Sequence, residues 1–254
     1  YASFGETTAS KAALMGAGPY RIDNLFVDAS LVYTNNGLAG AVRGFGVTQT
    51  TYACESHMDT IARRLEMDPL DFRRRNAIRE GDSAHSGDTI RSCGLEETME
   101  AVAREVGWNA IGKGRLSPCG TRRRGRGLAA MIYPVGFTAT NNPSAAFARV
   151  NEDATLTLWS GVVDMGQGAH TILRQIAAEE MGVPLEAVQI ISGDSDIAPL
   201  DLGSVASRVT HIAGNAVLRA VGKVKAQLAR KAGEMLEASE KDIKIEDSTA
   251  FVEA

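Results

Sequence analysis

Cysteine is scarce: three residues, Cys54, Cys93 and Cys119, stand among 254. The count is odd and no CxxC spacing occurs, which argues against a disulfide framework and against a zinc or iron–sulfur site built within this chain. A reducing compartment fits, and a cytoplasmic location is the expectation. The four histidines, His57, His85, His170 and His211, lack ligand spacing such as HExxH, so no metal ligand is assigned. No run of about 18 apolar residues exists, which leaves no membrane-spanning helix, and no charged-then-apolar leader is visible. Positive charge is not in excess. A net charge of −4 gives no basic field for nucleic acid. Two arginine runs do occur. Arg73-Arg74-Arg75 falls in a helical pattern and is expected to form a solvated face. Arg122 to Arg126 falls in a linker and reads either as a solvated loop or as a contact to a partner subunit or a phosphate. Internal repeats and low-complexity segments are absent.

What is present is an ordinary globular composition, 44% hydrophobic and 23% charged, in a chain long enough for one large or two small domains. Residues 20–34 read as extended structure, with Leu25, Val27, Leu31 and Tyr33 on alternating positions. Helices are expected from Thr48 to about Glu66, after Asp68-Pro69, and from Leu95 to Trp108. Residues 111–126, rich in Gly, Arg, Ser and Pro, mark a linker between a first domain (1–110) and a second (127–254). Beyond it, Gly127–Tyr133 reads as a strand. Phe147–Val150 and Thr155–Trp159 read as a hairpin with Leu156 and Leu158 on its one buried face. A helix from about Thr171 to Met181, a strand over Ala187–Ser192, a long helix starting near Gly203-Ser204 and a terminal hairpin complete an α+β chain. Gly214 and Gly222 within the long helix imply close packing against a sheet or a second helix.

Three small-residue turns stand at or just before helix starts: Arg43-Gly44-Phe45-Gly46, Met165-Gly166-Gln167-Gly168, and Gly203-Ser204-Val205-Ala206-Ser207-Arg208. Glycine lets backbone amides approach an anion, and a helix N-terminus adds positive potential. The turns are either three unrelated loops or three contacts to one large anionic cofactor.

The motifs resemble a known family. Ala41-Val42-Arg43-Gly44-Phe45-Gly46-Val47-Thr48-Gln49, with Glu55 and the run from Asp68-Pro69 to Gly81-Asp82, is similar to the large molybdenum-binding subunit of the xanthine oxidase and aldehyde oxidoreductase family. Met165 to Thr171 matches that family's pterin-contacting turn. Asp201-Leu202-Gly203-Ser204, Ser207-Arg208-Val209-Thr210 and Ala213-Gly214-Asn215-Ala216 are most similar to its 4-hydroxybenzoyl-CoA reductase branch. The resemblance implies parts of two molybdopterin-binding domains, with mixed sheets and packed helices and the cofactor between them. It implies a molybdenum–molybdopterin cofactor, in some members as the cytosine dinucleotide. The implied chemistry is hydroxylation of an aromatic, N-heterocyclic or aldehyde substrate with oxygen from water. Electrons leave through [2Fe–2S] clusters, usually to FAD, on partner subunits or domains. Carried over by position, Gly44 and Phe45 lie at the molybdenum ligands and Phe45 also walls a planar substrate. Met165, Gly166, Gln167 and Gly168 contact the cofactor, and Ala206 and Ser207 sit under the metal and beside the pterin. Arg43 is either a charge near the active centre or a structural arginine fixing its loop. Phe137, followed by Thr138, is either a second aromatic wall or a core phenylalanine.

The chain departs from the family in ways that matter. Val205 stands where xanthine-oxidising members carry alanine, and Val47 replaces a common glycine. The family's general base lies in a Gly-Glu motif. Gly5-Glu6 and Gly233-Glu234 occupy the wrong places for it, and an earlier Gly-Gly-Phe-Gly segment is missing. The chain is therefore expected to be an interior piece, inactive alone, that requires the remaining parts of the molybdenum subunit. The alternative is a non-catalytic interaction or assembly module that keeps the fold without the cofactor.

Overall fold

The computed structural model describes residues 4–37, 40–108, 125–137 and 141–253. They fall into two compact units that meet in sequence at Tyr133 and Pro134. The expected linker lies outside the described residues except for Gly125 and Arg126.

The first unit is helical: α1 (Gly5–Met15), α2 (Val47–Arg64), α3 (Pro69–Asn76) and α4 (Leu95–Glu105). Asp68 caps α3 as its sequence implies. Its carboxylate accepts from the Leu70 N–H at 2.8 Å and the Asp71 N–H at 3.4 Å, and also from Trp108 Nε1. Leu70, Ala77, Met99, Ala103 and Trp108 form the small core. The arginine run is only in part the solvated face its pattern implies: Arg75 is exposed and Arg74 half-buried. Arg73 is fully buried, because Glu55 and Asp59 of α2 lie across from it: Nε donates to Glu55 at 2.8 Å and Nη1 to Asp59 at 2.7 Å. Glu55 also accepts from the Tyr20 hydroxyl at 2.5 Å and the Ala130 N–H at 3.0 Å. The strand expected over Gly127–Tyr133 is not formed, and the extended segment over 20–34 finds no strand partner. Residues 21–34 run without strand pairing, and Leu25, Val27, Leu31 and Tyr33 are exposed. Alternation prepares a segment for pairing but does not supply its neighbour. Residues 127–133 are also irregular, with the Ala130 N–H committed to Glu55.

The second unit holds the main core. Strands β1 (Ala146–Val150), β2 (Leu156–Ser160) and β3 (Val188–Ser192) form one sheet in that order. β1 pairs antiparallel with β2, with Ala146 opposite Ser160. β2 pairs parallel with β3, with Leu156 opposite Val188. Helix α5 (Ala169–Met181) makes the crossover that a parallel pair requires. As the central strand, β2 buries Thr157 along with Leu156 and Leu158, so the expectation of one buried face is too narrow. The long helix starts later than its motif suggests. A π-helical turn over Val209–Ala213 precedes α6 (Gly214–Leu236). Its close packing is against α5: a Cβ on Gly214 would lie 2.8 Å from Ile176 Cδ1. Strands β4 (Ile243–Glu246) and β5 (Thr249–Val252) form the terminal hairpin, closed by Asp247 and Ser248 at positive φ. The whole is α+β with small sheets and packed helices.

Candidate functional site

The turn from Val163 to Gly168 leaves the end of β2 and opens α5. Gly166 and Gly168 have φ of 102° and 81°. A Cβ at either would meet nothing within 4 Å, so glycine serves the backbone conformation and leaves open space beside it. Asp164 organises the turn. Its carboxylate accepts from the N–H groups of Gly166 (2.7 Å), His170 (3.2 Å) and Gly168 (3.4 Å). These bonds, that of Gly166 foremost, hold the carboxyl below the usual carboxylate range. The Gln167 side chain folds onto the same loop, accepting from the Met165 N–H at 2.6 Å and donating to the Val163 carbonyl at 3.3 Å. Met165 and Gln167 are exposed. Beneath them the His170 ring meets Ser192 Oγ of β3 at 2.6 Å.

The loop before the π-helical turn lies against this one: Ser204 Oγ donates to the Val163 carbonyl at 2.5 Å. Its anchor is an ion pair with no exposed side-chain surface, Arg208 to Asp201 at 2.5 Å. Asp201 also accepts from Ser144 Oγ and the Gly203 N–H, while Arg208 donates to the Pro143 and Gly203 carbonyls. Among the described residues, Arg208 Nε is buried with no hydrogen-bond partner. Between the anchor's two members, Ala206 and Ser207 hold φ of 51° and 55°, uncommon for residues with a Cβ. The Ala206 carbonyl accepts from the Gly136 N–H at 2.7 Å, which brings in half-buried Phe137, itself pinned by Asn142. Thr138 lies outside the described residues. Among the described residues no hydrogen bond uses the N–H groups of Gln167, Ala206 or Ser207.

In the first unit, Gly44, Phe45 and Gly46 all have positive φ, of 94°, 49° and 90°. A Cβ on Gly46 would lie 2.4 Å from the Thr8 carbonyl, so α1 requires glycine there. Phe45 packs edge-on against Phe4, with ring centroids 6.3 Å apart. Arg43 is exposed and, among the described residues, fixes no loop. Glu6 and Glu234 are exposed on α1 and α6, the latter paired with Lys231.

The structure thus joins the glutamine turn, the Ala206-Ser207 turn and Phe137 in one unit. Sequence reasoning missed Asp164, Asp201 and the His170–Ser192 pair. An acidic residue two positions before a Gly-x-Gly helix start is a signal that points to Asp164. Asp201 and Arg208 stand in motifs the sequence singles out, but their ion pair is visible only in the fold.

Small-residue turns with left-handed backbones thus stand at or just before helix starts in both units. Two family models, both described as molybdopterin cofactor-binding domain, match residues 1–77 and 101–254. The chain belongs to this family, the molybdopterin-binding domains of the large subunit of xanthine dehydrogenases and aldehyde oxidoreductases. It is 35% identical over 246 residues to the xanthine dehydrogenase molybdenum-binding subunit of Escherichia coli O157:H7, matching 94% of this chain and 32% of that protein. It is 33% identical over 233 residues to the nicotine 6-hydroxylase large subunit of Paenarthrobacter nicotinovorans, 86% of this chain and 28% of that one. The crystal structure of quinoline 2-oxidoreductase from Pseudomonas putida 86 matches with a TM-score of 0.80 and 26% identity, covering 98% of this chain and 33% of that chain. The chain spans about a third of the length of the curated relatives it matches.

Proposed function

We propose that this chain supplies part of the molybdopterin site of a molybdenum hydroxylase or dehydrogenase acting on an aromatic, N-heterocyclic or aldehyde substrate. The observation that carries the reading is a coincidence of strain and motif. Phe45, Ala206 and Ser207, assigned to the cofactor by position, all hold left-handed backbones that cost free energy in residues bearing a Cβ. The residues fit the group in a particular way. Asp164 already occupies the N–H groups of Gly166, Gly168 and His170, so this helix start does not suit a phosphate. The N–H groups of Gln167, Ala206 and Ser207, which no hydrogen bond uses among the described residues, suit acceptors on a pterin edge. When bound, the group supplies a two-electron redox centre for oxygen transfer from water. Gln167 and Ser207 orient it, Met165 covers it, and Phe137 and Thr138 contribute to a substrate wall. Arg43, Gly44 and Phe45 are assigned to the metal side on the family likeness. The cytosine dinucleotide form, and [2Fe–2S] and FAD partners, belong to the same reading, as does kinship with the 4-hydroxybenzoyl-CoA reductase branch. The unpaired Cys54 and Cys93 suit a reducing, cytoplasmic setting.

Metal and pterin analysis of the protein purified in its full assembly tests this. One molybdenum and one pterin per chain are expected, with both reduced in Gln167→Ala at unchanged circular dichroism. A second reading, a module that keeps the fold without the cofactor, draws on the way Asp164 and Gln167 satisfy their own turn. Absence of both molybdenum and pterin from the assembly selects it.

A further inference from the structure

In the second unit a groove of about 900 Å³ runs between β1 and α6. Its floor is apolar, built from Ala146, Ala148, Ala216 and Val224. β1 ends the sheet, so the outer edge of its backbone is unpaired among the described residues. On the opposite wall His211, Asn215, Arg219 and Lys223 recur every four residues and form one stripe. Arg219 and Lys223 are exposed and, among the described residues, make no hydrogen bond or ion pair. The two walls match in length. Five residues of β1 span about 17 Å, and the stripe from His211 to Lys223 spans roughly 18 Å.

An unpaired edge, an apolar floor and a cationic rim of equal length are complementary to one kind of occupant. We propose that an extended segment adds to β1 as a fourth strand, with both apolar and acidic side chains on its face toward α6. There the apolar side chains fill the floor and the carboxylates meet Arg219 and Lys223. The segment comes from the large-subunit polypeptide itself, because the relatives carry about two thirds of their length outside the region matched here. Strand addition gives affinity through main-chain hydrogen bonds and specificity through alternate side chains. It also removes an edge that otherwise invites aggregation. The proposal rests on family membership and not on cofactor binding.

The test uses the whole chain and twelve-residue peptides tiled across the unmatched part of the Escherichia coli O157:H7 subunit. Binding is read by fluorescence polarisation and amide hydrogen exchange. At least one peptide that carries apolar and acidic residues together on one strand face is expected to bind, more weakly as salt rises, and to slow exchange in Ala146–Val150. R219E/K223E is expected to weaken it about tenfold while R219K preserves it. Binding by no peptide overturns the proposal. So does binding that leaves β1 exchange unchanged, ignores salt or survives the charge reversal, and so does self-association of the chain through β1.

Discussion

Arg73 and Asp164 are the residues on which most local geometry turns. Arg73 is buried with Glu55, and removing one member of such a pair leaves the other charge without its partner. Arg73→Met is expected to lower unfolding free energy by about 3–5 kcal/mol, measured by urea denaturation. The same network raises the Tyr20 hydroxyl above its usual range, first by burial and then by its hydrogen bond to Glu55. A raised value in the folded state means full stabilisation below about pH 10, lost as pH climbs toward the folded value. Tyr20→Phe is therefore expected to flatten the alkaline limb of a stability-against-pH curve. For Asp164 the sign is opposite. Its lowered value gives stabilisation present above the usual carboxylate range and lost as pH falls through the folded value. Asp164→Ala is expected to speed amide exchange at Gly166, Gly168 and His170, and an unchanged rate there would contradict the capping role. Arg73 was misread from sequence because a charge run looks the same whether or not a carboxylate waits on a neighbouring helix.

At the scale of elements, the helices were the most legible part of the sequence. α3 follows from Asp68-Pro69, and α5 ends at Gly182, where φ is 81°. Residues 21–34 failed because alternation describes one strand while pairing takes two. β2 was half-read because a central strand is covered on both faces, which its own alternation does not reveal. The glycines now separate by element contact. A Cβ on Gly182 would fall 2.1 Å from the Ile245 carbonyl, backbone that cannot yield, at a positive φ. Gly182→Ala is expected to cost more than about 1 kcal/mol and to loosen the β4–β5 hairpin. On Gly222 a Cβ would meet only the end of the Glu180 side chain at 3.2 Å. Gly222→Ala is expected to raise stability by up to about 1 kcal/mol, because glycine is a poor residue for a helix interior. Thermal midpoints of the two variants should move in opposite directions.

For the whole molecule, the two units carry separate cores, one around Leu70 and Trp108 and one around Leu158 and Val217. Leu158→Ala is expected to cost about 2–5 kcal/mol by leaving a cavity in a fully buried position. Combined with Arg73→Met, with which it shares no described partner, the losses should add within about 0.5 kcal/mol. The family was legible from short motifs because glycine turns tolerate few substitutes. The internal anchors of those turns were not, since Asp201 and Arg208 are joined only through folding. One consequence concerns timing. The glutamine turn carries its own carboxylate, so it takes shape as the polypeptide folds and does not wait for a guest. A cofactor that bound there, as proposed, would meet a loop already ordered, and the entropy of ordering that loop would have been spent before it arrived.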